Sequence, residues 1–81
     1  ESLRGIVAFV RTVMTGSFSG AARQLGVTTV AVSRNVQRLE RELGVRLLQR
    51  TTRSLSMTEE GRRLFEATRS ALDAVLPDLK K

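Results

Sequence analysis

The run from Phe18 to Leu43 constrains the fold more than any other part of the chain. Ala22 is followed after three residues by Gly26-Val27-Thr28, and then by Val32-Ser33-Arg34. An alanine at that place is small enough to let a second helix cross closely. A glycine four residues later can take the left-handed conformation that ends one helix a few residues before the next. Val27 is expected to plug the corner. Thr28 is expected to cap the new helix by accepting a hydrogen bond from a backbone N–H of its first turn. The pattern is that of a helix-turn-helix, whose second helix is the one such a motif presents to DNA.

Charge and composition narrow the alternatives. A chain of 81 residues makes one domain, and a domain of this size buries only roughly 60% of its unfolded surface. The net charge of +6 favours a polyanionic partner. Its placement is uneven: six arginines (Arg34, Arg38, Arg41, Arg46, Arg50, Arg53) face only Glu40 and Glu42 between Thr28 and Thr58, whereas five acids balance five bases from Glu59 to Lys81. Glu40 and Glu42 are read as partners of arginines on their own helix. The sequence contains no Cys and no His. It therefore offers no disulfide framework, no thiolate or imidazole metal site and no ready general base, so neither catalytic nor metal residues are assigned. No apolar run approaches the roughly 20 residues of a membrane span and no signal-peptide pattern precedes the domain, so a soluble, cytoplasmic protein without membrane contact is expected.

Around the motif the periodicities fill out an architecture. Leu3, Ile6, Val7, Phe9, Val10, Val13 and Met14 recur at three- and four-residue spacing and predict an amphipathic scaffold helix ending near Gly16. Ser17 or Ser19 caps a short helix over residues 20–25, with Phe18 as a core anchor. In the third helix Val32, Val36, Leu39 and Leu43 form the core stripe, and Thr29, Val30, Ser33, Arg34 and Gln37 lie opposite. Residues 45–50 and 54–57 read as two short strands around a turn that carries Arg53 at its tip, with Leu55 and Met57 inward and Ser54 and Ser56 outward. Thr58 caps a last helix with Glu59 and Glu60 in its first turn, where carboxylates suit the positive helix end. Its apolar face (Leu64, Phe65, Thr68, Ala71, Leu72, Val75, Leu76, Leu79) is wider than a small core can cover, which implies a partner surface. Pro77 is expected to kink or end that helix near Leu76. The fold class is mainly α: a winged helix-turn-helix with a three-helix core, a two-stranded wing and a C-terminal linker helix. The domain proper covers residues 1–58 and the linker or dimerisation helix residues 59–81.

In order and in local motif this sequence resembles the N-terminal DNA-binding domain of the LysR-type transcriptional regulators. The resembling residues are Phe9-Val10, Gly16-Ser17-Phe18-Ser19, Ala21-Ala22, Leu25, Val32-Ser33-Arg34, Leu39-Glu40, Glu42-Leu43-Gly44-Val45, Leu47-Leu48, Arg50-Thr51 and Thr58-Glu59-Glu60-Gly61. The resemblance implies a homodimer joined through the linker helix, reading an inverted repeat in double-stranded DNA of bacterial promoters. It further implies that this chain is a fragment: a small-molecule effector would bind a C-terminal domain absent here, no cofactor is expected in the fragment, and contact with RNA polymerase would belong to the full-length protein. The chain departs from the family at Thr28, Thr29 and Val30, where Ser, Gln and Pro are frequent, and at Asn35, where Gln is.

Roles follow from position and side-chain chemistry. Thr29, Val30, Ser33 and Arg34 are the candidate base readers. Arginine suits a guanine edge and the methyls of Val30 suit a thymine C5-methyl, while Thr29 is too short for the bidentate adenine contact of a glutamine. Ser17, Thr28, Gln37, Arg38, Arg50, Thr51 and Arg53 are candidates for the DNA backbone or the minor groove. Arg38 and Arg50 could instead pair with Glu40 or Glu42, and Arg62 and Arg63 belong to a solvated face. Leu64, Thr68, Ala71, Leu72, Val75 and Leu76 are candidates for the dimer interface. A winged helix used as a protein-interaction or assembly module is the alternative, but it has no need for six arginines between Thr28 and Thr58. An RNA or single-strand binder would expose aromatics for stacking, and the only three, Phe9, Phe18 and Phe65, fall at expected core positions.

Overall fold

The computed structural model describes residues 2–50 and 54–75, with side chains described for residues 3–50 and 54–71. Four helices and one hairpin follow in the order α1 (Ser2–Thr15), α2 (Phe18–Leu25), α3 (Thr29–Leu43), β1 (Leu48–Arg50), β2 (Leu55–Met57) and α4 (Glu59–Val75). The strands pair antiparallel, with Leu48 opposite Met57 and Arg50 opposite Leu55. This is the mainly helical winged helix-turn-helix expected from the sequence.

Each helix of the motif starts where a hydroxyl waits for it. Ser17, rather than Ser19, caps α2: its Oγ accepts from the Gly20 N–H at 2.9 Å. The helix consequently begins two residues earlier than the apolar pattern suggests. Gly26 closes it at φ 70° and ψ 31°, a left-handed conformation that costs a Cβ-bearing residue about 1 kcal/mol or more. Thr28 caps α3 by accepting from the Ala31 N–H at 3.0 Å.

Phe9, Ala21, Val32, Val36, Leu39, Leu47 and Leu48 are the fully buried centre, with Ala8 and Ala22 beside them. Phe18, Leu25, Leu55, Met57, Leu64 and Phe65 pack around this centre, half-buried. Three expectations about the core are corrected. Val27 does not plug the corner but is about half exposed, since its N–H bonds the Ala22 carbonyl and the turn carries the side chain outward. Leu43 ends the α3 stripe in solvent, because the chain turns away at Gly44 before any element covers it. On α1 the inward side is Gly5, Ala8, Phe9 and Thr12, while Leu3, Val7 and Met14 are exposed. Small residues dictate this choice: a Cβ on Gly5 would stand 2.8 Å from the Leu39 Cβ, so only a bare Cα lets α1 cross α3 so closely. Thr12 is tolerated in the core because its hydroxyl donates to the Ala8 carbonyl at 2.7 Å.

The wing is shorter than expected, starting at Leu48 rather than Val45. The reason is Glu40. Its Oε2 accepts from the N–H groups of Leu47 at 2.8 Å and Leu48 at 3.2 Å, so the approach to the strand is satisfied by a side chain. Glu40 is thus no surface partner of a neighbouring helical arginine, as the sequence suggested. It is buried, and its ion pair at 3.7 Å is with Arg46, beyond the end of its helix.

Thr58 joins the wing to α4. Its Oγ1 accepts from the Gly61 N–H at 3.0 Å and donates to the Arg46 carbonyl at 2.6 Å. Gly61 is the contact point, since a Cβ there would overlap the Leu47 carbonyl oxygen.

Candidate nucleic-acid interface

Burial of Val32, Val36 and Leu39 fixes the rotation of α3 about its axis, and this decides what the helix shows to solvent. Thr29, Val30, Arg34 and Gln37 are exposed and Ser33 is half-buried at their edge. The structure therefore brings the four candidate base readers onto one ridge, with Gln37 one turn further along. Val30 is 61% exposed, an apolar side chain standing on a polar ridge with no packing role inside the domain. Arg34 and Arg38 are exposed and engaged in no ion pair among the described residues.

The hydroxyls that cap the helices keep their own protons available. Thr28 Oγ1 and Ser17 Oγ act as acceptors toward backbone N–H groups. Each O–H can still donate to a phosphate oxygen at the positive end of a helix. Among the described residues no ion pair joins Arg50 to Glu40 or Glu42; its guanidinium lies over the Phe18 ring, 4.8 Å from the centroid. A cation stacked in this way keeps its N–H edges free for an anion while losing rotamer freedom. The contact joins the end of β1 to the start of α2, and the sequence reading missed it because Phe18 was assigned wholly to the core.

Thr51 and Arg53 at the expected wing tip lie outside the described residues, as do Leu76 and Pro77. Leu72 and Val75 fall on α4, but their side chains are outside the description as well. Of the remaining seam candidates, Leu64 and Thr68 are half-buried, Leu64 packing on the domain's own core, and Ala71 is exposed. Arg62 and Arg63 lie on the solvated side of α4, where Arg62 bonds both Glu59 and Glu66 and Arg63 bonds Glu59. Hydrogen bonding from Arg62, with its positive charge, holds the Glu59 carboxyl below the usual carboxylate range, and Glu59 in turn raises the Arg62 guanidinium. Among the described residues no helix is long and apolar enough to cross a bilayer.

Residues 3–62 match the family of bacterial regulatory helix-turn-helix proteins, lysR family. The chain belongs to the lysR family. This lysR-family domain is 54% identical over 67 residues to the HTH-type transcriptional regulator CrgA of Neisseria meningitidis, covering 83% of this chain and 22% of that protein. It is 49% identical over 72 residues to the probable HTH-type transcriptional regulator LtrA of Klebsiella pneumoniae, covering 89% of this chain and 23% of that protein. In structure it is similar to the BenM DBD in its catB site 1 DNA complex, with a TM-score of 0.83 and 35% identity over 96% of this chain and 88% of that one. Full-length CbnR complexed with its target DNA superposes with a TM-score of 0.79 and 32% identity over 93% of this chain and 26% of that one. The chain spans about a quarter of the length of the curated relatives it matches. Those relatives are named as transcriptional regulators, and this domain is the regulatory helix-turn-helix of their family.

Proposed function

We propose that this domain docks α3 in the major groove and reads an inverted repeat as a two-fold dimer, within a cytoplasmic transcription regulator. The observation that carries the reading is the exposed ridge of α3, on which Thr29, Val30, Ser33 and Arg34 stand together above a fully buried stripe. Arg34 reads a guanine O6/N7 edge and Val30 packs on a thymine methyl. Ser17, Thr28, Gln37, Arg38 and Arg50 hold phosphates and set the register of α3 on the duplex, and Thr51 and Arg53 of the wing reach the backbone or the neighbouring minor groove. The dimer spaces two α3 helices by one DNA turn, about 34–36 Å. Residues 59–81 provide the linker helix of that dimer through Leu64, Thr68, Ala71, Leu72, Val75 and Leu76. A small-molecule effector and RNA polymerase are partners of the longer protein, and the activity is regulatory, not enzymatic.

Fluorescence anisotropy on a selected duplex and on a scrambled one tests the base-reading role. Arg34→Ala is expected to cost about 1–3 kcal/mol on the selected site and to relax preference at one base pair. Equal, small losses on both duplexes would return Arg34 to a solvated surface charge.

A further inference from the structure

The exposed ridge of α3 does not end at Gln37. At about 100° per residue, Val30, Arg34, Gln37 and Arg41 fall within an arc of about 60°, on the side away from the buried stripe. Arg41 is exposed and engaged in no ion pair among the described residues. It stands two turns, about 10 Å, beyond Arg34 along the helix axis. A side chain that far from one on a base edge is past the wall of a groove about 12 Å wide, where the backbone phosphates run.

A second guanidinium meets Arg41 there. An open cleft of about 480 Å³ is lined by Gln37, Glu40 and Arg41 of α3 and by Gly44, Val45 and Arg46 of the segment that follows. Arg46 is held at this rim from several sides. Its Nη2 donates to the Leu48 carbonyl at 3.4 Å, its Nε faces Glu40 Oε2 at 3.7 Å, and its own backbone carbonyl accepts from Thr58 Oγ1. These contacts restrict the side chain's rotamers without using all five of its N–H donors. Glu40 does not cancel the positive charge: one carboxylate stands against two guanidiniums, and its Oε2 is already shared by the Leu47 and Leu48 N–H groups.

We propose that Arg41 and Arg46 grip one phosphate of the DNA backbone in this cleft, at the far end of α3. Neither arginine is among the backbone candidates drawn from the sequence. The inference rests on the docking of α3 proposed above and adds to it a stop that sets how far along its axis the helix sits on the duplex. The electrostatics select a phosphate of the duplex over a free one. The last turn of α3 carries about half a negative charge, which opposes any anion at this end. The remaining attraction is weak for an ion gathered from solution, but a phosphate delivered by the docking of α3 arrives at high effective concentration.

The test uses the 81-residue chain and a duplex selected from random sequences, in which phosphates are replaced one at a time by neutral methylphosphonates. One position in each half-site should weaken the unmodified domain when neutralised, yet weaken the double variant Arg41→Ala, Arg46→Ala no further. On the unsubstituted duplex the double variant should bind about ten-fold more weakly per protomer, on selected and scrambled sequences alike. Its slope of log affinity against log salt should be shallower by about 1 per protomer, a difference of about 3–4-fold between 50 and 200 mM. Arg41→Lys, Arg46→Lys keeps both charges and should recover the slope. Melting should change little in either variant, because both side chains are exposed. A slope unchanged by the double alanine variant, or no methylphosphonate position coupled to it, overturns the cleft and leaves the reading by α3 standing. Saturable shifts of the amides of residues 41–46 in micromolar inorganic phosphate would overturn the choice of occupant. If selection enriches no sequence, the reading by α3 itself fails, whatever the methylphosphonates show.

Discussion

Replacing Glu40 by alanine should destabilise the domain more than any other single change of a charged side chain. Glu40 is 8% exposed and its Oε2 accepts from two consecutive backbone N–H groups, at 2.8 and 3.2 Å. Truncation leaves both N–H groups buried without an acceptor, at about 1–3 kcal/mol each. The total is about 2–6 kcal/mol, against a whole stability of about 4–12 kcal/mol for a chain of this length. At about 4–8 °C per kcal/mol the melting temperature should fall by roughly 10 °C at the low end of that range and by several tens of degrees at the high end. Glu40→Gln keeps an acceptor oxygen and loses the charge, so its cost should be about half as large. The ion pair to Arg46 contributes little by comparison: at 3.7 Å, with Arg46 67% exposed, it belongs with surface pairs of about 0–1 kcal/mol. Thermal unfolding followed by circular dichroism on Glu40→Ala, Glu40→Gln and Arg46→Ala separates the contributions. If Arg46→Ala lowered the melting temperature as much as Glu40→Ala, or Glu40→Ala moved it by about 2 °C or less, the hydrogen-bond argument would be refuted.

Gly61→Ala should cost about 3 kcal/mol or more, above the usual range for overpacking, because the added methyl meets the Leu47 backbone carbonyl and not a side chain that can turn away; urea titration with unchanged m-value checks it. The start of α4 should loosen in acid. The Glu59 pKa is depressed by Arg62, so its contribution is present above the ordinary carboxylate value and is lost as pH falls through the lowered one, which amide shifts of residues 59–63 would report and 0.5 M salt would diminish. Amide shifts at those residues that stay constant down to about pH 2 would contradict this. Replacing one thymine of the site by uracil should weaken binding by a modest, position-specific amount through Val30; if no thymine position matters, Val30 has no role at the base edges.

What the sequence made legible was whatever is encoded by residue type at a fixed offset. Gly26 followed by Thr28 marks a helix end and a cap, Thr58 followed by two glutamates marks another, and the alternation through Ser54, Leu55, Ser56 and Met57 marks a strand. What remained hidden depends on facing. Periodicity shows that α1 is apolar on more than one side but not which side is inward; that is set by Gly5 and Ala8, residues with almost no hydrophobic weight of their own. Glu40 was hidden for a related reason. Its partners are backbone N–H groups seven and eight residues on, and no pairing rule between side chains points to them. The α3 ridge was legible because the core stripe and the ridge are two consequences of one helical phase.

Glu40 and Arg50 together explain how so small a wing can be held ready for the DNA-reading role proposed for it. A two-stranded hairpin alone is marginal in water, and among the described residues this one pairs three residues of each strand. Its first strand is nevertheless fastened at both ends to the two helices of the helix-turn-helix: Leu47 and Leu48 to Glu40 of α3, and Arg50 to Phe18 of α2. Ordering an element at the moment of binding costs conformational entropy that is subtracted from affinity. Here that ordering is completed on folding, since the contacts that hold β1 are made within the domain. The residues that fasten the wing also sit beside those proposed to touch DNA. Glu40 lies one turn beyond Gln37, and Phe18 follows the cap Ser17, so a shift of the strand would move the proposed phosphate contacts of α2 and α3 with it. The first strand of the wing and α3 are therefore held at one fixed spacing, so that, under the function proposed above, a preference in the minor groove would add to a preference in the major groove at a fixed distance along the site.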